Sequence, residues 1–309
     1  MKTLRFAFVA SLALLLGANI LRAQTVTWTN TASGGWNTAL NWSPNTIPNS
    51  NNAVIINQPG VTVTLNGTTT AGGIKLGTNS GATVTLSLAG QSLSLYGPLT
   101  VNATGSFTVD SGLFIGSTNA LLSGMIGWTA GYLEGYLTLA ASSTLNITGG
   151  TVNIPGCIFT NNGTVEWTSG TIQSGEGTVI YNNGLWNMQS DQTLDNAFGG
   201  TAAVFNNYGT VRKSGGAGQY VNATIFSGVV FNQLAGVIDA QNGTGTNGTQ
   251  LAFQGGGSFT GGYITTNQYG LTTLEAANYT INGTVTGTNT WETDNGNFVG
   301  ANVINGNLT

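Results

Sequence analysis

Short runs of alternating hydrophobic and polar residues fill the chain from about residue 61 onward. Val, Ile, Leu or Phe occupies every second position for three to five residues, and Gly, Asn, Ser and Thr then interrupt the run. Such alternation is typical of a short β-strand with one buried face, and the interruptions are typical of turns. The pattern therefore predicts an all-β fold. The first such runs are Val61/Val63/Leu65, Ile74/Leu76, Val84/Leu86, Leu93/Leu95 and Leu99/Val101.

Longer pieces of the sequence recur as well. Phe159-Thr-Asn-Asn-Gly-Thr-Val returns 46 positions later as Phe205-Asn-Asn-Tyr-Gly-Thr-Val, and Phe231-Asn-Gln-Leu-Ala-Gly-Val follows after 26 more. Trp128-Thr-Ala-Gly returns 39 positions later as Trp167-Thr-Ser-Gly. These separations correspond to one or two units of roughly 20 to 25 residues, the range of stacked solenoid coils. A β-propeller requires about 40 residues in every repeat, and a β-sandwich seldom repeats its sequence.

We therefore predict a right-handed parallel β-helix over residues 61–309, whose last residues end inside what is predicted to be another coil. Residues 1–23 have the charged start, apolar core and small final residue of a secretory signal, which predicts export. Residues 24–60 contain Trp28, Trp36 and Trp42. Because an open solenoid exposes its terminal strand edge, we interpret this segment as an N-terminal aromatic cap.

Composition narrows the function classes. The chain has 48 Gly, one Cys and no His. After the predicted signal the sequence contains three basic residues, Lys75, Arg212 and Lys213, and ten acidic residues, which gives a net charge of −7 (3 − 10). We therefore expect no nucleic-acid partner, because nucleic-acid binding requires clustered positive charge. No later stretch approaches the 18 apolar residues of a transmembrane segment, and the lone Cys157 has no disulfide partner within the chain. Without histidine, the commonest general base and metal ligand, we expect no cofactor and no metal site.

Two segments carry a family resemblance. Two stretches of sequence resemble the Gly/Asn/Thr-rich coils of secreted or surface β-helix proteins of bacteria, such as autotransporter passengers and adhesins. They run from Phe205 to Gly216 and over Val230-Phe-Asn-Gln-Leu-Ala-Gly-Val-Ile-Asp. The tryptophan segment 28–48 is similar to the N-terminal start of many such proteins. The resemblance implies a secreted, extracellular or outer cell-surface location. It supplies no catalytic residues.

The first functional hypothesis is therefore a structural or adhesive surface protein without catalytic activity, whose partners are surface glycans or matrix polysaccharide. Trp128, Tyr132 and Tyr136 lie four residues apart, so in an extended chain they share one face and offer rings for stacking on sugars. The simpler explanation is that the same three side chains fill the coil interior or its rim.

The alternative is a β-helix enzyme that degrades polysaccharide, as a lyase or glycosidase. A glycosidase requires two carboxylates about one sugar ring, and Asp191 and Asp195 would share a strand face at their spacing of four. A lyase requires a base and a cation, and Arg212-Lys213 is the basic pair available. Solvated loops and turns account for both pairs without any function. An enzyme should bring two carboxylates together near aromatic side chains, whereas a scaffold should scatter its acids around the coil.

Overall fold

The computed structural model describes the chain from Ala23 onward, and the predicted signal segment 1–22 lies outside the described residues. Side chains are described as far as residue 281, apart from those of residues 262–271 and of the positions named below. Within the described residues the fold is an all-β parallel solenoid, whose helical content is one 3-10 turn at Ala39–Asn41. The positions not described after Ala23 are 79, 119, 217–223, 242–249, 262, 267–270, 276, 282, 295–296, 300–301 and 309.

Each coil contributes one strand to each of three parallel sheets. Sheet 1 stacks β1 (Gln24–Trp28), β4 (Asn52–Ile56), β7 (Gly73–Leu76), β10 (Leu99–Val101), β13 (Leu121–Ser123), the end of β15 (Tyr132–Leu139), β18 (Ile158–Asn161), β21 (Val179–Asn182), β24 (Val204–Asn207), β27 (Val230–Gln233), β30 (Gly257–Phe259), β33 (Asn278–Ile281) and β35 (Asn297–Val299).

Sheet 2 stacks β2 (Gly34–Gly35), β5 (Thr62–Thr64), β8 (Val84–Ser87), β11 (Gly105–Val109), β14 (Met125–Trp128), β16 (Thr144–Ile147), β19 (Thr164–Trp167), β22 (Leu185–Met188), β25 (Thr210–Lys213), β28 (Val237–Ala240), β31 (Tyr263–Thr266), the start of β34 (Gly283–Asp294) and the start of β36 (Asn302–Leu308).

Sheet 3 stacks β6 (Thr69–Ala71), β9 (Ser92–Leu95), β12 (Leu113–Gly116), the start of β15, β17 (Thr151–Asn153), β20 (Thr171–Gln173), β23 (Thr193–Asp195), β26 (Thr224–Ser227), β29 (Gln250–Phe253), β32 (Leu271–Glu275), the end of β34 and the end of β36.

The register of the stack explains the sequence repeats. Phe159 pairs with Ile180, Ile180 with Phe205, and Phe205 with Phe231. The step of 46 residues therefore spans two coils and the step of 26 spans one, as predicted. The rings of Phe205 and Phe231 stack inside the solenoid with centroids 5.5 Å apart. Alternate side chains thus form one continuous apolar core along the coil axis.

The three tryptophans of the predicted cap segment pack together at the start of the solenoid. Trp28, Trp36 and Trp42 are completely buried, and Trp42 packs edge-on against both other indoles with centroids 5.0 Å apart. Its Nε1 donates a 2.7 Å hydrogen bond to the carbonyl oxygen of Trp36. The short strand β3 (Trp42–Ser43) pairs antiparallel with the end of β1, so it covers part of the first strand edge. The segment also supplies β1 and β4, which pair in parallel like later strands.

Candidate functional site

The three predicted sugar-contacting aromatics do not share a face. Trp128 ends β14 and is 1% exposed, so it belongs to the core. A turn separates it from Tyr132, and Gly131 adopts φ = 76° there. Because the chain bends into a new sheet at this turn, the strand alternation restarts, and Tyr132 points outward. The expectation that Trp128 contacts sugar is therefore wrong.

Tyr132 and Tyr136 are available at the surface, with exposed fractions of 38% and 48%. Both lie on β15, which continues from sheet 3 into sheet 1. Three coils further along the stack, the ring of Phe198 lies 6.2 Å from that of Tyr132, with the ring planes tilted. The structure thus replaces the predicted trio by the exposed Tyr132 and Tyr136 together with the half-buried Phe198.

Two carboxylates lie at the same edge of the solenoid. Glu134 lies between the two tyrosines on β15, and Glu176 lies in the corner after β20. Burial raises the pKa of Glu134, and the charge of Glu176 raises it further. The two acids are thus close enough for their charges to interact. We call Tyr132, Glu134, Tyr136, Glu176 and Phe198 together the aromatic–acidic corner.

Local backbone geometry places Glu176 at this corner. Gly175, Glu176 and Gly177 all have positive φ, and Glu176 itself lies at 53°. Its backbone N–H donates to the carbonyl oxygen of Gly199 at 2.8 Å, so this turn stacks on the next coil's turn, which carries Phe198. A non-glycine residue in this conformation costs of order 1 kcal/mol or more. The hydrogen bond between the two turns therefore fixes the backbone position of Glu176 at this corner.

Asp191 and Asp195 do not form a carboxylate pair. Asp191 lies in the bend before β23, and its Oδ1 is 2.8 Å from Nζ of Lys213. Asp195 ends β23, where burial raises its pKa while a hydrogen bond from the backbone of Ala197 lowers it. Only Asp195 therefore lies on the strand, and the predicted shared strand face is not formed.

Arg212 and Lys213 lie on strand β25, so the sequence-based interpretation of this pair as a solvated turn is wrong. Lys213 points inward and its side chain is fully buried. Its Nζ donates to the carbonyl oxygen of Ser190 at 2.7 Å as well as to Asp191. Arg212 points outward and pairs with Asp239, with Nε and Oδ2 2.8 Å apart. Both cations are thus held in ion pairs.

Other acids are held by neighbours in the stack. Glu166 accepts hydrogen bonds from the side-chain amides of Asn187 and Gln189 on the next coil. Glu275 accepts a 2.7 Å hydrogen bond from Gln254. These acids therefore serve the coil contacts, and the aromatic–acidic corner is where carboxylates and exposed rings meet.

Within the described part of the chain, no group of three Cys, Asp or Glu side chains is placed to hold a metal ion. Cys157 is a buried free thiol. Burial raises its pKa, and the charge of Glu134 raises it further, so the thiolate is disfavoured. Among the described residues, no helix has the length and hydropathy needed to cross a membrane.

Sequence reasoning missed Glu134, Glu176 and Phe198 as members of one group. Tyr132 pairs with Asn153, Asn153 with Gln173, and Gln173 with Asp195. The coil length sets this alignment, so residues some 20 and 40 positions apart become neighbours. The repeat period of the sequence indicates that residues about one or two coil lengths apart lie near each other. The exact register of the strands is needed to place Glu176 at the same corner as Glu134.

Comparison with known proteins gives one partial match. A family model described as a domain of unknown function (DUF8693) matches residues 27–128, which include the cap and the first coils. Neither the curated proteins nor the solved structures include a match to the chain. The chain is thus a β-solenoid protein that contains a domain of unknown function.

Proposed function

We propose that this is an exported structural or adhesive protein of the cell surface or extracellular space, which contacts glycans through its side walls and has no catalytic activity. The main observation that supports this proposal is a row of outward polar side chains along sheet 1, which we call the polar ladder. In register, it contains Thr138, Thr160, Tyr181, Asn206, Asn232 and Ser258.

The last three rungs of this ladder are hydrogen-bonded to each other. Asn232 donates to Oδ1 of Asn206 at 2.9 Å, and the hydroxyl of Ser258 donates to Oδ1 of Asn232 at 2.9 Å. Rungs in adjacent strands repeat about every 4.8 Å. A preorganised row of donors and acceptors loses little side-chain entropy on binding, which favours contact with a polymer that repeats its own hydroxyl groups.

A partly exposed apolar ladder runs beside the polar one. Tyr136 pairs with Ile158, Ile158 with Val179, Val179 with Val204, and Val204 with Val230. All five side chains lie on the outward face of sheet 1. A sugar polymer also presents both C–H surfaces and hydroxyl groups, so the paired ladders match its amphipathic character. The exposed rings of the aromatic–acidic corner extend the apolar ladder toward sheet 3.

A glycan array probed with the purified protein tests this proposal. We expect binding to at least one polysaccharide class and a loss of tenfold or more in the double variant Y132A/Y136A. The control is T85A/T108A, which truncates two outward side chains on sheet 2. Absence of glycan binding, or equal binding by both variants, contradicts the proposal.

One observation favours polysaccharide cleavage as a second candidate function. Glu134 and Glu176 lie at one corner of the solenoid with Tyr132 and Phe198, and burial and then the charge of Glu176 raise the pKa of Glu134. A carboxyl group with a raised pKa is suited to donate a proton to a glycosidic oxygen, while the second carboxylate activates water or attacks the sugar carbon. The overall reaction adds one water across the glycosidic bond.

A reducing-sugar assay on the glycans bound in the array separates the two candidates. Release of reducing ends that E134Q and E176Q both reduce by at least 100-fold supports the enzyme. D110N serves as a control, because Asp110 is an exposed acid that is not part of this corner. Binding without release of reducing ends supports the adhesive function.

A further inference from the structure

We propose that a groove around Lys75, near the cap, binds an acidic oligosaccharide, that is, one bearing carboxylate or sulfate groups. Two adjoining clefts of about 550 and 300 Å³ lie on sheet 1, and Lys75 and Ile55 line both. Each volume lies in or near the range of small-ligand sites. This groove is separate from the aromatic–acidic corner.

The strand β7 explains why the groove forms there. Its sequence Gly73-Ile-Lys-Leu points Gly73 and Lys75 outward, while the two hydrophobic residues point inward. Gly73 pairs with Ala53 on the preceding coil, and Pro98 follows in the next coil as a lining residue. A glycine and an alanine leave the outer surface short of side chains beside Lys75. The larger cleft is the space that results.

Charge decides the class of ligand. Lys75 is exposed, and among the described residues it is the cation that forms no ion pair, since Arg212 and Lys213 are paired. The first acidic residue of the whole sequence is Asp110. The coils before it thus carry a local positive charge, although the protein as a whole is acidic. Because acids beyond a Debye length of about 8 Å are screened at physiological salt, an anion is attracted to this groove.

The lining of the groove suits a sugar more than an inorganic anion. Ile55 and Pro98 provide apolar surface for the C–H face of a sugar ring, and Asn57, Asn102 and Thr100 provide hydrogen-bonding groups. Asn102 is fixed in place because its Nδ2 donates to the carbonyl oxygen of Gly77 at 2.8 Å. The groove thus combines the ammonium of Lys75 with apolar and amide groups. An anionic saccharide has the matching groups, because it carries negative charge, hydroxyls and C–H surface together.

Isothermal titration calorimetry with three probes tests the inference: a trimer of galacturonic acid, a sulfated galactose trisaccharide and neutral galactotriose. We expect at least one acidic probe to bind at least tenfold more tightly than the neutral sugar, and to bind more weakly at high salt. K75Q should reduce that affinity by at least tenfold. R212Q removes the same charge from sheet 2 and should leave binding unchanged.

A second variant tests the cleft independently of charge. A53F places a large side chain on the outward face of β4, so it should fill the larger cleft and reduce binding while the circular dichroism spectrum stays unchanged. Y132A/Y136A should retain binding of the acidic probe, which distinguishes this site from the proposed glycan surface. Equal affinity for acidic and neutral probes, no binding of either acidic probe, or unchanged affinity in K75Q or A53F would overturn the inference.

Discussion

The side-chain amide of Asn161 donates a 2.8 Å hydrogen bond to Oδ1 of Asn182, one coil away in the stack. Asn182 donates in turn to Asn207 at 2.7 Å, and Asn207 to Gln233 at 2.8 Å. All four side chains are completely buried. Amide ladders of this kind satisfy polar groups inside the solenoid and fix the register, because a shift of one residue would leave each amide unpaired.

We expect N182A to lower the free energy of unfolding by about 2–4 kcal/mol, because it removes the middle rung and leaves the buried Oδ1 of Asn207 without its donor. Chemical denaturation measures this change. The neighbouring variant N183A is the matched control. Asn183 forms the same kind of bond with Asn162 at 2.8 Å, but in an exposed position, so its loss should cost at most about 1 kcal/mol. Equal costs for the two variants would show that burial of the ladder is unimportant.

An inward charge should be far more damaging than an outward one. Val165 is completely buried and Ile172 is 1% exposed, so V165D and I172D should each cost about 4 kcal/mol or more through an unpaired buried charge. Thr164 precedes Val165 on β19 and points outward, so T164D should cost about 1 kcal/mol or less. Thermal unfolding compares the three variants. Parent-like melting of V165D would contradict its inward assignment.

Asp191 should act as the structural partner of Lys213. D191N leaves the buried ammonium without its anion and should cost about 2–4 kcal/mol at neutral pH. K213M removes the buried charge and places a methionine beside Met188 of β22, the residue that pairs with position 213. It should therefore change the free energy of unfolding by about 1 kcal/mol or less. A larger loss in K213M than in D191N would contradict this role.

The same pair gives a pH dependence. Burial lowers the pKa of Lys213 below 10.5, and the hydrogen bond that its ammonium donates to Asp191 opposes that shift. A lowered lysine pKa means that the folded state disfavours the proton, so stability rises as pH increases through the interval between the folded pKa and 10.5. Without Asp191 the folded pKa falls further. The deficit of D191N should therefore shrink as pH approaches 10.5, as measured by urea unfolding across pH.

Glu134 should show the opposite pH behaviour. Its folded pKa lies above the ordinary value of 4.5 because of burial and the charge of Glu176. Ionisation therefore disfavours the folded state, an effect that is absent below pH 4.5 and complete above the folded pKa. E134Q should raise Tm slightly at pH 7 and leave it unchanged near pH 4. The surface variant D110N removes the same charge, and a similar rise in that variant would point to net charge as the cause.

Individual residues show which features of the fold could be predicted from the sequence. The alternation at Ile172 and the spacing of Phe205 and Phe231 predicted strands and stacked coils, because a stacked fold repeats its chemistry at every turn. Trp128 and Lys213 were misplaced. Trp128 was predicted to share an exposed face with Tyr132 because one strand was assumed to continue through the corner between them. Lys213 was predicted to lie in a solvated turn because charged residues usually prefer solvent.

The sequence by itself determined the all-β solenoid and its aromatic cap, since hydrophobic alternation, glycine-rich corners and repeat length are local properties that every coil restates. Only the tertiary structure decided which side chains meet. Glu134 and Glu176 come to one corner of the solenoid, and Asp191 pairs with Lys213, because contacts between coils depend on the exact number of residues in each turn. The position of the groove at Lys75 likewise depends on which side chains of adjacent coils lie beside the outward Gly73.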